Sequence, residues 1–167
     1  YFVIPYLDDG LRTSIDDYKR LATKFNEAGE LCKAHGLKLG YHNHGFEFID
    51  YAGQNGYDIL LSETDKNLVD FELDIYWVVR AGADTISLFN KYPGRFPLWH
   101  VKDMDKADHD LNTEIGAGAI DYTDISNNFS MNDVKHLIIE QENFAMDAIK
   151  SLTESFNYVD KDLLSRS

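Results

Sequence analysis

LVDFELD, residues Leu68–Asp74, is a short, mostly apolar run that closes on a carboxylate. Three other runs have the same form: LKLGYHNH (Leu37–His44), PLWH (Pro97–His100) and HLIIE (His136–Glu140). Each reads as a buried strand ending in a side chain able to hold a divalent metal. The candidate ligands are His42, Asp74, His100 and Glu140, spaced 32, 26 and 40 residues apart. One strand, one helix and two loops occupy a stretch of about that length. In a barrel of parallel strands the C-terminal strand ends converge on one mouth, where the active site lies. Four residues far apart in sequence would meet there.

Working outward, strands and helices alternate. Tyr1–Leu7 reads as a buried strand. Ser14 followed by Asp17 resembles a capping box, and apolar residues from Ile15 to Cys32 recur at helical spacing until Gly36. A short helix is expected over Tyr57–Ser62, a strand over Leu68–Tyr76, and a helix over Ala83–Lys91 stopped by Tyr92-Pro93-Gly94. Phe96–Val101 is the next strand. A polar stretch, Lys102–Thr113, and a Gly-rich loop, Glu114–Ile120, follow. Asp121–Asn127 starts a helix, Met131–Val134 is an open boundary, His136–Gln141 is a strand, Ala145–Phe156 is an amphipathic helix, and Val159–Ser167 is a polar tail. Five strands with helical crossovers make an α/β chain with a parallel sheet, either open or the last five strands of an eight-stranded barrel. No second domain is visible, so residues 1–167 read as one domain. The start inside the apolar run YFVIPYL suggests that about three further units lie upstream.

Lys and Arg number 16 against 29 Asp and Glu, a net charge of −13, which argues against nucleic-acid binding. No apolar run reaches the ~18 residues of a membrane span. Cys32 is the single cysteine, so a disulfide framework is excluded. The expected class is a soluble bacterial-type enzyme, cytoplasmic or periplasmic, with a small-molecule substrate. The open edges of a five-stranded sheet point to a homo-oligomer.

His, Asp and Glu ligands suit one divalent ion such as Mn²⁺, Co²⁺, Mg²⁺ or Zn²⁺. Glu140 leaves an apolar strand, where an unpaired charge is costly and a cation would compensate it. Each ligand also has a plain reading: rim histidines at His42 and His44, a turn cap at Asp74, an ion pair at Glu140. Trp77 can form an apolar wall for a sugar ring or pack in the core. Lys102 and Lys106 can hold a substrate oxyanion or lie on the surface. Gly116 and Gly118 can present N–H groups to an oxyanion or simply allow a turn.

YHNHGFEF, ELDIYWVVRAG, YPGR with LWHVKDMD, GAGAIDY and IIEQENF, in this order, resemble the sugar phosphate isomerase/epimerase family of the xylose isomerase-like TIM-barrel superfamily. That superfamily also holds inosose dehydratases and ketose 3-epimerases. The resemblance runs from the fourth barrel strand (Tyr1–Leu7) to the eighth (His136–Gln141). It implies a (β/α)₈ TIM barrel of which this chain holds about the last five βα units, with one metal at the mouth. Asp74, His100 and Glu140 match the ligand types of the epimerase branch, whereas His42 stands where a Glu usually stands. The implied chemistry is proton abstraction next to the carbonyl of a sugar or cyclitol, by an isomerase or epimerase. Glu140 would be the base, His44 an acid, and Lys102, Trp77, Glu47 and Lys106 substrate contacts. Replacing one carboxylate by His42 breaks the symmetric acid–base pair that epimerisation uses. That shifts weight toward a lyase of the same superfamily as the alternative, through dehydration or 3-keto-glycoside β-elimination. A non-catalytic sugar-binding relative is the remaining alternative.

Overall fold

The structure, a computed structural model, describes residues 1–164. Its main sheet has five parallel strands in the order β1 (Phe2–Ile4), β2 (Leu39–His42), β3 (Val69–Asp74), β4 (Leu98–Val101) and β7 (His136–Ile139). Between β4 and β7 lies a separate antiparallel pair, β5 (Asp103–Met104) and β6 (Asn112–Thr113). Neighbouring strands are joined through helices: α1 (Ile15–Ala34), α2 (Gly56–Glu63), α3 (Ile75–Arg80) with α4 (Thr85–Lys91), and α5 (Tyr122–Asn127). The last helix, α6 (Ala148–Tyr158), runs into a π-helical turn, Val159–Leu164. Parallel strands require such crossovers, and the arrangement is the curved, partial sheet of a (β/α)₈ barrel.

Local chemistry sets the element boundaries. The Ser14 hydroxyl accepts the Asp17 N–H, and the Asp17 carboxylate accepts the Thr13 N–H and both the Thr13 and Ser14 hydroxyls, closing the first turn of α1. Asn55 caps α2 through Asp58 N–H, and Asp84 caps α4. In β3 the alternation sends Val69, Phe71 and Leu73 into the layer under the helices, where all three are fully buried. Asp70, Glu72 and Asp74 take the opposite, concave face. The core packs Tyr18, Ala22 and Phe25 of α1 with Tyr57, Leu60, Phe71, Phe96 and Trp99.

Several expectations change. The expected strand Leu68–Tyr76 ends at Asp74 and becomes α3 at once, because the Asp74 carboxylate accepts the Trp77 N–H at 3.0 Å and starts the helix. The polar stretch Lys102–Thr113 holds the β5–β6 hairpin, whose two-residue strands are too short to show a period. The N–H groups of Gly116, Gly118 and Ile120 do not face a ligand. All three, with Met104 N–H, bond to the buried Asp103 carboxylate at 2.8–3.1 Å. A Cβ on Gly118 would sit 2.2 Å from Asp103 Oδ1, so the loop can wrap this carboxylate only with glycine there. Helix α6 is amphipathic with the opposite face inward. Ser151 and Ser155 are buried on Glu114 and Ile115 N–H, while Ile149 and Phe156 are 73% and 57% exposed. The tail is not uniformly polar, since Val159 and Leu163 are buried in the π-helical turn; residues 165–167 lie outside the described residues. Leu31 of α1 also falls outside the packed face. β7 is an edge strand with half-buried side chains, rather than the buried strand expected before Glu140. Among the described residues no helix is long and apolar enough to cross a membrane.

Candidate metal centre

His42 is the last residue of β2, Asp74 the last of β3, His100 the third of β4, and Glu140 directly follows β7. The register pairs Asp74 with His100, and His42 with Glu72. One ligand atom each from His42, Asp74 and His100 falls within 4.8 Å of the others. His42 Nε2 is 3.7 Å and His100 Nδ1 3.8 Å from Asp74 Oδ2. Ligand bonds of ~2.0–2.2 Å allow two donors of one ion to stand up to about 4.4 Å apart, so both separations fit a shared cation. Glu140 stands at the rim of this group. Its Oε2 lies 3.3 Å from His100 Nε2 and 2.6 Å from Lys102 Nζ.

The two Asp74 oxygens differ. Oδ1 caps α3, whereas Oδ2 is buried with no hydrogen-bond partner. Burial pushes the Asp74 carboxyl up to about 7. A buried carboxylate oxygen left unpaired carries a desolvation penalty that a cation would remove. The backbone around it is clamped by Asn43, whose amide oxygen accepts Asp74 N–H and Tyr57 O–H while its NH₂ donates to Asp74 O. Burial, with His42 nearby, lowers the His100 pKa and favours the neutral imidazole that metals require. For Glu140, burial opposes ionisation, but the Lys102 hydrogen bond and His100 outweigh it and hold the carboxyl below its usual range. Lys102 is 2% exposed, bridges Glu140 and Glu142, and lies 5.3 Å from the Tyr76 ring centroid. Burial opposes its charge, and the two glutamates restore it and raise its pKa.

The remaining expected site residues separate. His44 stacks on Phe46, meets Tyr6 edge-on, and has Trp77 at 5.5 Å. Burial and His42 push its pKa down to about 4, which favours the neutral imidazole. Trp77 is half-buried at the start of α3, with Lys102 Nζ 5.9 Å from its ring centroid, which puts it beside the cluster. Glu47 does not return a carboxylate to a substrate. It is fully buried and accepts Tyr41 O–H at 2.5 Å and His44 N–H at 2.9 Å, so it fixes the loop carrying His44. Lys106 is exposed in the β5–β6 turn, with no ion pair to the cluster among the described residues.

Residues 3–161 match the family model described as the xylose isomerase-like TIM barrel. The chain belongs to that family. Among xylose isomerase-like relatives, an inosose dehydratase of Clostridium perfringens is 32% identical over 102 residues, covering 61% of this chain and 34% of that protein. A sugar phosphate isomerase/epimerase from Parabacteroides distasonis superimposes with a TM-score of 0.81 at 27% identity, over 96% of this chain and 58% of that one. The IOLI protein, solved with a zinc atom, shares the fold at a TM-score of 0.72 and 16% identity, over 98% of this chain and 62% of that one. The chain therefore spans about a third of the curated relative and under two thirds of each structure.

Three polar residues of this xylose isomerase-like site were not singled out from sequence: Asn43, Glu72 and Glu142. Asn43 lies between the two histidines of YHNH, and Glu72 two residues before Asp74, a period-2 signal that places it on the same strand face. Glu142 has no such signal, since its contacts with Lys102 and Asn112 join segments about 30–40 residues apart.

Proposed function

We propose that this chain carries the metal-and-base portion of an enzyme that removes the proton next to the carbonyl of a sugar or cyclitol, and that the reaction proceeds by β-elimination. The observation that carries the reading is the buried, unpaired Asp74 Oδ2 between His42 Nε2 and His100 Nδ1, beside the Glu140–Lys102 pair. His42, Asp74 and His100 would hold one divalent ion, with Glu140 at the rim of the group. When bound, such an ion polarises a carbonyl and so acidifies the neighbouring C–H.

Glu140, kept ionised by Lys102, takes that proton. Lys102 supplies positive charge where the enolate oxygen develops. The electron pair then expels the β-hydroxyl, which departs as water with the proton Glu140 had taken. His44 donates an N–H hydrogen bond toward that hydroxyl, and Trp77 gives the ring an apolar wall. The inosose dehydratase resemblance agrees with this direction, as does His42 in place of a second carboxylate. Epimerisation is the second reading, favoured by the fold match to the Parabacteroides distasonis protein.

The test is to strip metal with a chelator, re-add Mn²⁺, Co²⁺ or Zn²⁺ separately, and assay inososes and keto-sugars for loss of water and for inversion. Metal-restored dehydration is the expected result. Metal-restored inversion without dehydration would move the assignment to an epimerase. Metal and sugar binding with no turnover would leave a binding protein and remove the enzymatic reading.

A further inference from the structure

One carboxylate close to the centre has no role in that scheme. Glu72 lies two residues before Asp74 on β3, so both side chains leave the same concave face. In register it is the direct neighbour of His42. Its Oε1 is 3.1 Å from His42 Nδ1 and 3.6 Å from His100 Nδ1, and its side chain is 13% exposed. The other nitrogen of His42, Nε2, faces Asp74 Oδ2.

A ligating imidazole offers one nitrogen to the ion, and its other N–H needs an acceptor, which sets both tautomer and ring plane. His42 Nδ1 has two neighbours able to accept, Glu72 Oε1 and, at 3.2 Å, His100 Nδ1. The carboxylate is the stronger acceptor because its bond is charge-assisted. Glu72 also sits two residues deeper along β3 than Asp74, and the residues that converge as a group are His42, Asp74 and His100 without it.

Building on the metal centre proposed above, we infer that Glu72 is a positioning residue: its Oε1 accepts the Nδ1–H of His42 and thereby presents His42 Nε2 to the ion beside Asp74 Oδ2. At the end of β2 this chain presents a histidine with a carboxylate behind it, one strand away.

The experiment is Co²⁺ titration of the full chain, followed by calorimetry and by the visible absorption of the bound ion, for wild type, E72Q, E72A and D74N. E72A is expected to weaken Co²⁺ binding about 10–100-fold and to shift the absorption bands. E72Q, whose amide oxygen still accepts the N–H, should stay within about tenfold of wild type. E72A binding like wild type while D74N binds nothing would overturn the role of Glu72 and leave the metal centre standing. E72Q losing as much as D74N, with one oxygen fewer around the ion, would make Glu72 a ligand and also overturn it. Wild type binding no Co²⁺ would remove both readings. A second measurement needs no variant: ¹⁵N NMR of metal-free wild type should show His42 as the Nδ1–H tautomer, and the Nε2–H tautomer would contradict the inference.

Discussion

Asp74 caps α3 with one oxygen and, in the proposed centre, offers the other to the ion, so the two can be separated by substitution. In D74N the amide oxygen can still accept Trp77 N–H, so α3 keeps its cap, while the group facing the histidines becomes an amide. We expect D74N to abolish the rise in melting temperature that divalent metal gives wild type, with the metal-free melting temperature within a few degrees of wild type; thermal melts with and without Zn²⁺ measure both. In the proposed reaction Glu140 is the residue whose charge is needed. E140Q should lower kcat by about 10²–10⁴-fold, and turnover within a factor of two of wild type would remove Glu140 as base. Glu47 makes a pH prediction. Burial raises its carboxyl from the usual 4.5 to about 7, so the folded chain binds this proton more tightly than the unfolded chain. The stability it contributes is complete below about pH 4.5 and lost as pH rises through about 7. Urea midpoints of E47Q, which keeps an acceptor for His44 N–H, should therefore fall less than those of wild type across that window. The convergence of His42, Asp74 and His100 was legible because metal-binding residue types stand at consecutive strand ends. Glu72 is not legible in that pattern because it lies one pleat deeper than the strand end. The task of Glu47 was hidden because a loop folding back on its own strand leaves no spacing pattern.

At the scale of elements, the hairpin and the Gly-rich loop form one unit held by Asp103. Its carboxylate takes four backbone N–H groups, and Tyr122 O–H bonds the Lys102 carbonyl at 2.8 Å. This unit sets where Lys102 points. D103A should destabilise the chain by on the order of 3 kcal/mol, since buried N–H donors lose their acceptor. It should also raise KM more than E72Q does, because Lys102 loses its frame; denaturation and steady-state assays read the two effects. Helices with a side-chain cap and a clear apolar period, α1, α2 and α4, were legible almost to the residue. α3 was not, because its sequence IYWVVR is β-branched and aromatic and continues the strand pattern, and only the Asp74 cap turns it. The inward face of α6 is not legible from periodicity because Ser151 and Ser155 are held by hydrogen bonds to the 114–115 loop, which hydrophobic periodicity does not register.

At the scale of the whole molecule, the five-stranded sheet ends in two open edges, β1 and β7, and exposes Phe2 at 58%, Ile149 at 73% and Phe156 at 57%. Unpaired strand edges and exposed apolar side chains favour association. A chain of these 167 residues is expected to sediment as concentration-dependent oligomers, and a monomer that stays so at high concentration would contradict this. The parallel architecture was legible from four strand ends at βα spacing. The curvature that brings three of those ends together comes from sheet twist and crossover packing, which spacing alone does not contain. In the proposed reaction this convergence makes a metal-assisted base for a C–H next to a carbonyl. Proton NMR of an inosose incubated in D₂O with the protein and Mn²⁺-matched Zn²⁺ samples tests it most directly, the Zn²⁺ sample giving the sharp spectra. Loss of the signal of the proton next to the carbonyl is expected in wild type, dependent on metal and absent in E140Q. Exchange that persists after metal removal, or that is equally fast in E140Q, would contradict it.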